Sequence, residues 1–260
     1  MKKVCIFFIL IVLVVFCCFI NAHNELRIIK SRGVLLVGTT GDYCPMSCID
    51  KNTNSYVGFD IALAEDLAKS LGVKIKYIPT SWQSLSEDTS NKKFDIAIGG
   101  ITVTDERKKQ ALMSKGYLTN GKTILCRKED VSKYKDLDSI NQSGVRVMEN
   151  PGGLNEKFAK EHLPKARLII HNVNYEIPEL ISLKKADVMI TETIEAKYYS
   201  RKDKNLAAPL AETPFTQGQI GILMPKENKH LLKYTNKFID EEKKSGRLDK
   251  LKEKYINIKA

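Results

Sequence analysis

Short apolar runs that read as strands alternate along this chain with longer segments whose apolar residues recur every third or fourth position, the period of a helix. Val34 to Thr39 is an apolar strand. Tyr56-Val-Gly-Phe59 leads into Asp60, placed as an N-cap, after which Ile61, Ala64, Leu67, Ala68 and Leu71 share one helical face. Gly72 follows as the C-cap glycine. Lys74 to Ile78 alternates as a strand, Ser81 to Asn91 opens as a helix, and Ile96 to Gly99 is the next strand. That β-α-β-α-β order predicts a parallel, doubly wound sheet in an α/β fold.

The pattern restarts after Tyr134. Strands are predicted at Val145 to Met148, Leu168 to His171 and Val188 to Thr191, with helices at Gly153 to Leu163, Ile177 to Lys184 and Glu192 to Arg201. Between the halves, Gly121 to Arg127 and Gln219 to Pro225 read as two extended crossing segments. Two crossings are what a two-lobed protein with a double-stranded hinge requires. The tail from Lys229 to Tyr255 is helical, broken at Ser245-Gly246, and is expected to pack on the first lobe through Leu231, Leu232, Phe238, Ile239, Leu248, Leu251 and Tyr255. The predicted division is a leader over 1–22, a first lobe over 23–120, a second lobe over 121–218 and a return to the first lobe over 219–260.

The leader reading rests on Lys2 and Lys3 before an uncharged apolar run from Val4 to Ile20 and a small-residue exit at Asn21-Ala22. Cleavage near Ala22 is favoured over a membrane anchor, because the polar chain resumes at once without stop-transfer charges. Cys17 and Cys18 raise a lipoprotein reading, but Val14, Val15 and Phe16 before them are too bulky for a good lipidation box. An exported, periplasmic protein is expected.

The formal charge is +11, yet lysines are interleaved with acids and no basic stripe carries aromatics, which argues against nucleic acid and for a solvated surface. The excess also fits an attraction for small anions. Cys44, Cys48 and Cys126 lie beyond the leader. A local bridge between Cys44 and Cys48 needs a turn at Pro45-Met-Ser47, and the pairing is left open. The four histidines are scattered, without metal-binding spacing, so neither a metal nor another cofactor is expected.

Ligands in open parallel sheets sit beyond the carboxyl ends of strands. Here those ends are Thr40 to Tyr43, Thr80 to Trp82, Gly99 to Arg107, Asn150 to Gly153 and Thr191 to Glu195. Val145 to Glu156 is the most informative, since an apolar strand meets Pro-Gly-Gly and turns straight into a helix start with unpaired N–H groups. Gly99-Gly100 makes a similar corner in the other half. Two such corners in two halves point to a ligand held in a cleft between lobes.

The motifs that carry a resemblance are Thr39 to Tyr43, Thr80-Ser-Trp82, Gly99-Gly100, Val103-Thr104 with Glu106-Arg107, Gly121-Lys-Thr123, Glu149-Asn-Pro-Gly-Gly153 and Ala186 to Thr191 followed by Glu195. In this order they resemble the family 3 periplasmic solute-binding proteins, which implies a type II periplasmic-binding-protein-like fold. Glu-Asn-Pro-Gly-Gly, Gly-Lys-Thr and Thr-Ser-Trp look most like the cyclohexadienyl dehydratase branch, exported enzymes acting on prephenate and arogenate. The resemblance implies a carboxylate clamp at Arg107 and an active site with Trp82, Lys122, Asn150 and Glu195, Glu195 being the general acid. Glu195 and Lys122 are thus the expected catalytic pair, and Arg107, Trp82, Asn150, Thr102, Glu192 and Asp42 the expected substrate-binding set. Glu192 stands where the pattern usually has Asp, and Leu154 where Thr is common.

These residue types suit the chemistry. Expelling hydroxide needs a proton donor, and a buried Glu with a raised pKa supplies one at neutral pH. Arg107 can grip a carboxylate in bidentate fashion, Lys122 adds a second positive charge, Trp82 offers a ring face, and Asn150 an amide. Glu192 is also placed to cap the helix that follows it. Asp42 and Tyr43 either line the site or only end the first strand. The alternative function is a non-catalytic receptor that delivers an amino acid to the membrane subunits of an ABC transporter. Such a receptor needs Arg107 and Glu192 for a carboxylate and an ammonium, but neither an acid at Glu195 nor a second cation at Lys122.

Overall fold

A computed structural model describes residues 25–257, so the leader predicted over 1–22 lies outside the described residues. The first part runs through helix α1 (Glu25–Arg32), strands β1 (Val34–Thr39), β2 (Asp42–Tyr43), β3 (Ser47–Ile49) and β4 (Tyr56–Val57), helix α2 (Phe59–Leu71), β5 (Lys74–Pro79), α3 (Leu85–Ser90), β6 (Ile96–Ala97), α4 (Asp105–Gln110) and β7 (Leu112–Met113). The middle part has β8 (Leu118–Asn120), β9 (Lys122–Arg127), α5 (Leu137–Ile140), β10 (Arg146–Glu149), α6 (Leu154–His162), β11 (Arg167–Ile170), α7 (Ile177–Ser182), β12 (Val188–Glu192), α8 (Thr193–Lys202) and β13 (Leu206–Ala207). The chain ends through β14 (Gly218–Ile220), β15 (Leu223–Met224), α9 (Lys229–Lys244) and α10 (Arg247–Tyr255).

Two five-stranded sheets result, ordered β5-β1-β6-β15-β7 and β11-β10-β12-β9-β13. In each, the first three strands are parallel, the fourth (β15 or β9) runs antiparallel to them, and the fifth is antiparallel to the fourth. The sheets are therefore mixed rather than wholly parallel. The antiparallel strands β15 and β9 are the segments by which the chain enters each sheet from the other half. Lys122 to Arg127 is accordingly not a crossing segment but an inner strand of the second sheet. The crossing lies just before it, where β8 pairs with β14 as a two-stranded ribbon, Gly218 opposite Asn120 and Ile220 opposite Leu118.

Apolar residues pack on both faces of each sheet. Leu35, Val37, Leu63, Leu67, Ile96 and Ile98 share one first-sheet core with Phe238, Leu248 and Leu251 of the tail helices. Phe94, Ala97 and Leu223 fill another. In the second sheet, Ile124, Val147, Val188 and Ile190 pack on one side and Leu125, Met148 and Met189 on the other. Five buried tail side chains, Leu231, Phe238, Ile239, Leu248 and Leu251, contribute roughly 1.5–3 kcal/mol each by removal from water. That is ample to fix the tail on the first sheet.

Helix α2 shows how the local pattern is read. It begins at Phe59 with Gly58 as N-cap and ends on Gly72 in the left-handed region, φ 72°. Asp60 is therefore not the cap. It lies in the first turn, fully buried, and its carboxylate turns inward. Its Oδ2 accepts from Gly99 N at 3.0 Å and Gly100 N at 2.6 Å, and its Oδ1 from the Tyr117 hydroxyl at 2.7 Å. Burial lifts its pKa to about 7 against those hydrogen bonds. The helix thereby holds the glycine corner that follows β6.

Each sheet reverses its strand order between the first and third of its parallel strands in the chain, β1 to β6 and β10 to β12. Ligand crevices form at such switch points. The corresponding strand ends, Thr39 to Tyr43 with Gly99-Gly100 and Asn150 to Gly153 with Glu192, face one another across a single cleft.

Candidate active site

The cleft closes on a small cavity lined by Tyr43, Trp82, Gly100, Thr102, Arg107, Lys122, Asn150, Gly153, Leu154, Asn155 and Glu192. Its volume of about 20 Å³ admits little more than one water. A ring-bearing ligand therefore requires the lobes to part. A wider groove of about 350 Å³ on the ribbon side shares Thr102, Lys122, Leu154 and Glu192 as a common wall.

Six of the eight residues expected from the sequence meet at this cavity: Trp82, Thr102, Arg107, Lys122, Asn150 and Glu192. Trp82 stands edge-on to Tyr43, with ring centroids 5.8 Å apart. Arg107 lies in α4, whose N-cap Thr104 accepts from the Arg107 backbone N–H. Its guanidinium donates to the Thr102 carbonyl at 2.7 Å and forms no salt bridge with a carboxylate among the described residues. Burial pulls its pKa down, while the nearby Glu192 charge acts the other way. The remaining guanidinium donors suit a ligand carboxylate.

Glu192 is the hub of the cleft. Its side chain makes no cap bond to α8, contrary to the capping role expected for it. The helix instead takes Asn120 Oδ1, which accepts from Thr193 Oγ1 at 2.7 Å and Ile194 N at 3.2 Å. Glu192 Oε1 accepts from Thr102 Oγ1 at 2.8 Å and Lys122 Nζ at 2.9 Å. Its Oε2 accepts from the Tyr43 hydroxyl at 2.7 Å and Asn120 Nδ2 at 2.9 Å. Burial works to raise its pKa, but the Lys122 charge and the hydroxyl and ammonium donors hold it below the ordinary glutamate value. Lys122 Nζ also donates to Asn155 Oδ1 at 2.5 Å.

Glu195 and Asp42 do not line the closed cavity, in contrast to the cleft-facing position expected for Glu195. The reason is local hydrogen bonding. Glu195 is fully buried, one turn after Thr191, whose hydroxyl donates to Oε2, and Asn174 Nδ2 donates to Oε1 at 2.9 Å. Asn174 Nδ2 also reaches the Asp42 carbonyl at 3.0 Å across the seam between the lobes. Asp42 turns its carboxylate to the Trp82 indole N–H at 3.0 Å. Burial, with the Asp42 and Glu192 charges adding to it, pushes the Glu195 pKa up to about 8. Glu195 thus carries a proton at neutral pH, one layer behind the cavity.

The helix start after Pro151 is tightly placed. Gly152 has φ 82°, and a Cβ there would sit 2.3 Å from Gln83 Cγ of the facing lobe. Its N–H is taken by Glu156 Oε2 at 2.6 Å, so that donor is not offered to a ligand. Tyr43, which the sequence left undecided, is a cavity residue. Asn120, Asn155 and Asn174 are further participants that sequence reasoning passed over. Only their position beside a crossing segment or a strand end could have marked them. Cys44 and Cys48 are disulfide-bonded, and Cys126 is a free, buried thiol.

The profile of the bacterial extracellular solute-binding proteins, family 3, matches residues 35–258. The chain belongs to this family. As a family 3 solute-binding protein it is 39% identical to a cyclohexadienyl dehydratase of Pseudomonas aeruginosa over 90% of this chain and 86% of that one. Among solved structures, an ancestral amino acid-binding protein described as a precursor of cyclohexadienyl dehydratase superposes with a TM-score of 0.83. It has 38% identity and covers 89% of this chain and 99% of its own. An ancestral cyclohexadienyl dehydratase is 50% identical, with a TM-score of 0.57 and coverage of 90% and 97%.

Proposed function

We propose that this family 3 solute-binding protein is an exported dehydratase that converts prephenate, or its amino counterpart arogenate, to phenylpyruvate or phenylalanine. One observation carries the reading. A fully buried, proton-holding Glu195 stands at the seam of a cleft that also contains two cations, Arg107 and Lys122. The likeness to a cyclohexadienyl dehydratase over 90% of the chain supports it.

The reaction balances with one proton. Prephenate dianion plus a proton gives phenylpyruvate monoanion, carbon dioxide and water. The C–CO₂ bond breaks and its electron pair enters the ring, while the C–O bond breaks with its pair leaving on oxygen. Glu195 donates its proton to that departing hydroxyl. Arg107 clamps one carboxylate, Lys122 and Asn150 fix the polar groups, and Trp82 packs on the ring. When the lobes part, the Asn174–Asp42 bond opens and brings Glu195 to the cleft. Reclosure about the β8–β14 ribbon sequesters the substrate from water.

A second reading, an amino-acid receptor serving membrane subunits of an ABC transporter, draws support from the likeness to the ancestral amino acid-binding protein. Export through a leader cleaved near Ala22 and a periplasmic location belong to both readings. Incubating the purified secreted form with prephenate separates them. Appearance of phenylpyruvate is the expected result. No turnover, with tight binding of an amino acid, establishes the receptor instead.

A further inference from the structure

Trp82 is the single tryptophan of the chain and an apolar wall of the cavity. It sits in the turn from Thr80 to Ser84, between β5 and α3. Among the described residues, backbone hydrogen bonds tie the two ends of that turn. Thr80 N donates to the Thr39 carbonyl at 3.2 Å, and the Ser84 carbonyl accepts from Asp88 N at 2.8 Å. Between these ends the turn is held by side chains, as serine-rich turns often are. Ser81 N donates to Ser84 Oγ at 3.2 Å, Ser84 N donates to Ser81 Oγ at 3.1 Å, and the two hydroxyls are 2.9 Å apart.

The cluster converges on Asp88, which lies in α3 and outside the cavity. Asp88 Oδ2 accepts from Thr80 Oγ1 at 2.7 Å and from Ser84 Oγ at 3.0 Å. The Asp88 side chain is 5% exposed, and the ammonium of Lys93 pairs with its Oδ1. A buried carboxylate with three donors is a firm anchor, because letting one go leaves charge without a partner in the interior.

The Trp82 ring has one polar tie of its own, from the indole N–H to Asp42 Oδ1 at 3.0 Å. One bond at one edge lets a ring pivot, so the turn decides where the ring stands. Gln83, the next residue, lies against Gly152 of the facing lobe. A displaced turn would therefore disturb both the cavity wall and the contact between lobes.

We propose that Asp88 is a positioning residue for this site: through the Thr80 and Ser84 hydroxyls it holds the turn that presents Trp82 to the ligand. The inference does not depend on the dehydratase reading, since Trp82 lines the cavity for whichever ligand enters.

With one tryptophan in the chain, intrinsic emission reports this ring alone. Asp88→Ala removes the shared acceptor of both hydroxyls. With far-ultraviolet dichroism unchanged, the ligand-free secreted chain is expected to emit at longer wavelength and to be quenched by acrylamide about twofold more readily, as a loosened turn admits solvent. Affinity for phenylpyruvate, measured by calorimetry, is expected to fall about tenfold as the ring leaves its place. Asp88→Asn keeps an oxygen for the hydroxyls and is expected to restore the parent emission. Lys93→Met removes the ion pair and spares the hydroxyl anchor, so it should lower Tm and leave emission and affinity as in the parent. If Asp88→Ala does not fold, Thr80→Val cuts one tether at nearly constant volume, and the same changes are expected at smaller size. Parent emission and quenching in folded Asp88→Ala, or in Thr80→Val where the Ala variant does not fold, overturn the proposal. So does a Lys93→Met variant that reproduces the changes of Asp88→Ala, since the ion pair and not the hydroxyls would then set the ring. Emission and quenching are read without ligand, so they decide the proposal whatever the site binds.

Discussion

The Tyr43 hydroxyl donates to Glu192 Oε2 at 2.7 Å, joining the end of β2 in one lobe to the end of β12 in the other. The two residues are 149 positions apart in the chain and meet only in the closed cleft. A hydrogen bond to a charged acceptor contributes about 1.5–3 kcal/mol net. Tyr43→Phe is expected to remove that amount from the closed form while the lobes stay folded. Small-angle scattering should then show a larger mean radius for the variant without ligand. An unchanged scattering curve would show that the contact does not hold the lobes.

Glu195→Gln keeps the size and one acceptor oxygen of the protonated acid but has no acidic proton to give. Turnover is expected to fall about a hundredfold or more, with binding of phenylpyruvate retained because Arg107 is untouched. In the parent, kcat should decline as pH rises through about 8, where burial has placed the Glu195 pKa. The same shift acts on stability. The folded protein holds the proton more tightly than the unfolded chain, so stability is complete below the ordinary value of 4.5 and is lost as pH rises through about 8. The Tm of the Gln variant relative to the parent should therefore increase across that interval. Wild-type turnover in Glu195→Gln would reject the assigned acid.

Arg107→Ala is expected to cost about 2–5 kcal/mol in affinity for phenylpyruvate, the usual effect of leaving a buried ligand carboxylate unpaired. Folding should be little affected, since among the described residues the guanidinium makes one protein hydrogen bond, to the Thr102 carbonyl. Calorimetry that finds the parent affinity would remove Arg107 from the site.

Asp60→Ala leaves the Gly99 and Gly100 amides and the Tyr117 hydroxyl without their buried acceptor. The expected loss is about 3–5 kcal/mol, read as a lower urea midpoint at neutral pH. Asp60→Asn keeps one acceptor oxygen and should lose less. If the Ala variant unfolds within 1 kcal/mol or so of the parent, the glycine corner is held by something else.

The main alternating strands and helices, and six of the cavity residues, are legible in the sequence alone. Periodicity located β1, α2, β10, α6 and the tail helices, because burial of one face leaves a repeat of apolar residues whatever lies against it. Glycine pairs at strand ends, together with the motifs that resemble a known family, named Trp82, Arg107, Lys122 and Asn150, and the structure lines one cavity with them. Periodicity does not record strand partners, so the antiparallel place of β9 was decided by tertiary structure. Register then set Lys122 opposite Glu192. The same holds for Asp60, whose carboxylate suited a cap by sequence and found Gly99, Gly100 and Tyr117 once β6 packed beside α2. Glu195 looks like a surface helix residue in the chain. Only the closed arrangement around Thr191, Asn174 and Asp42 buries it, and burial is what keeps its proton on at neutral pH, because desolvation disfavours the charged form.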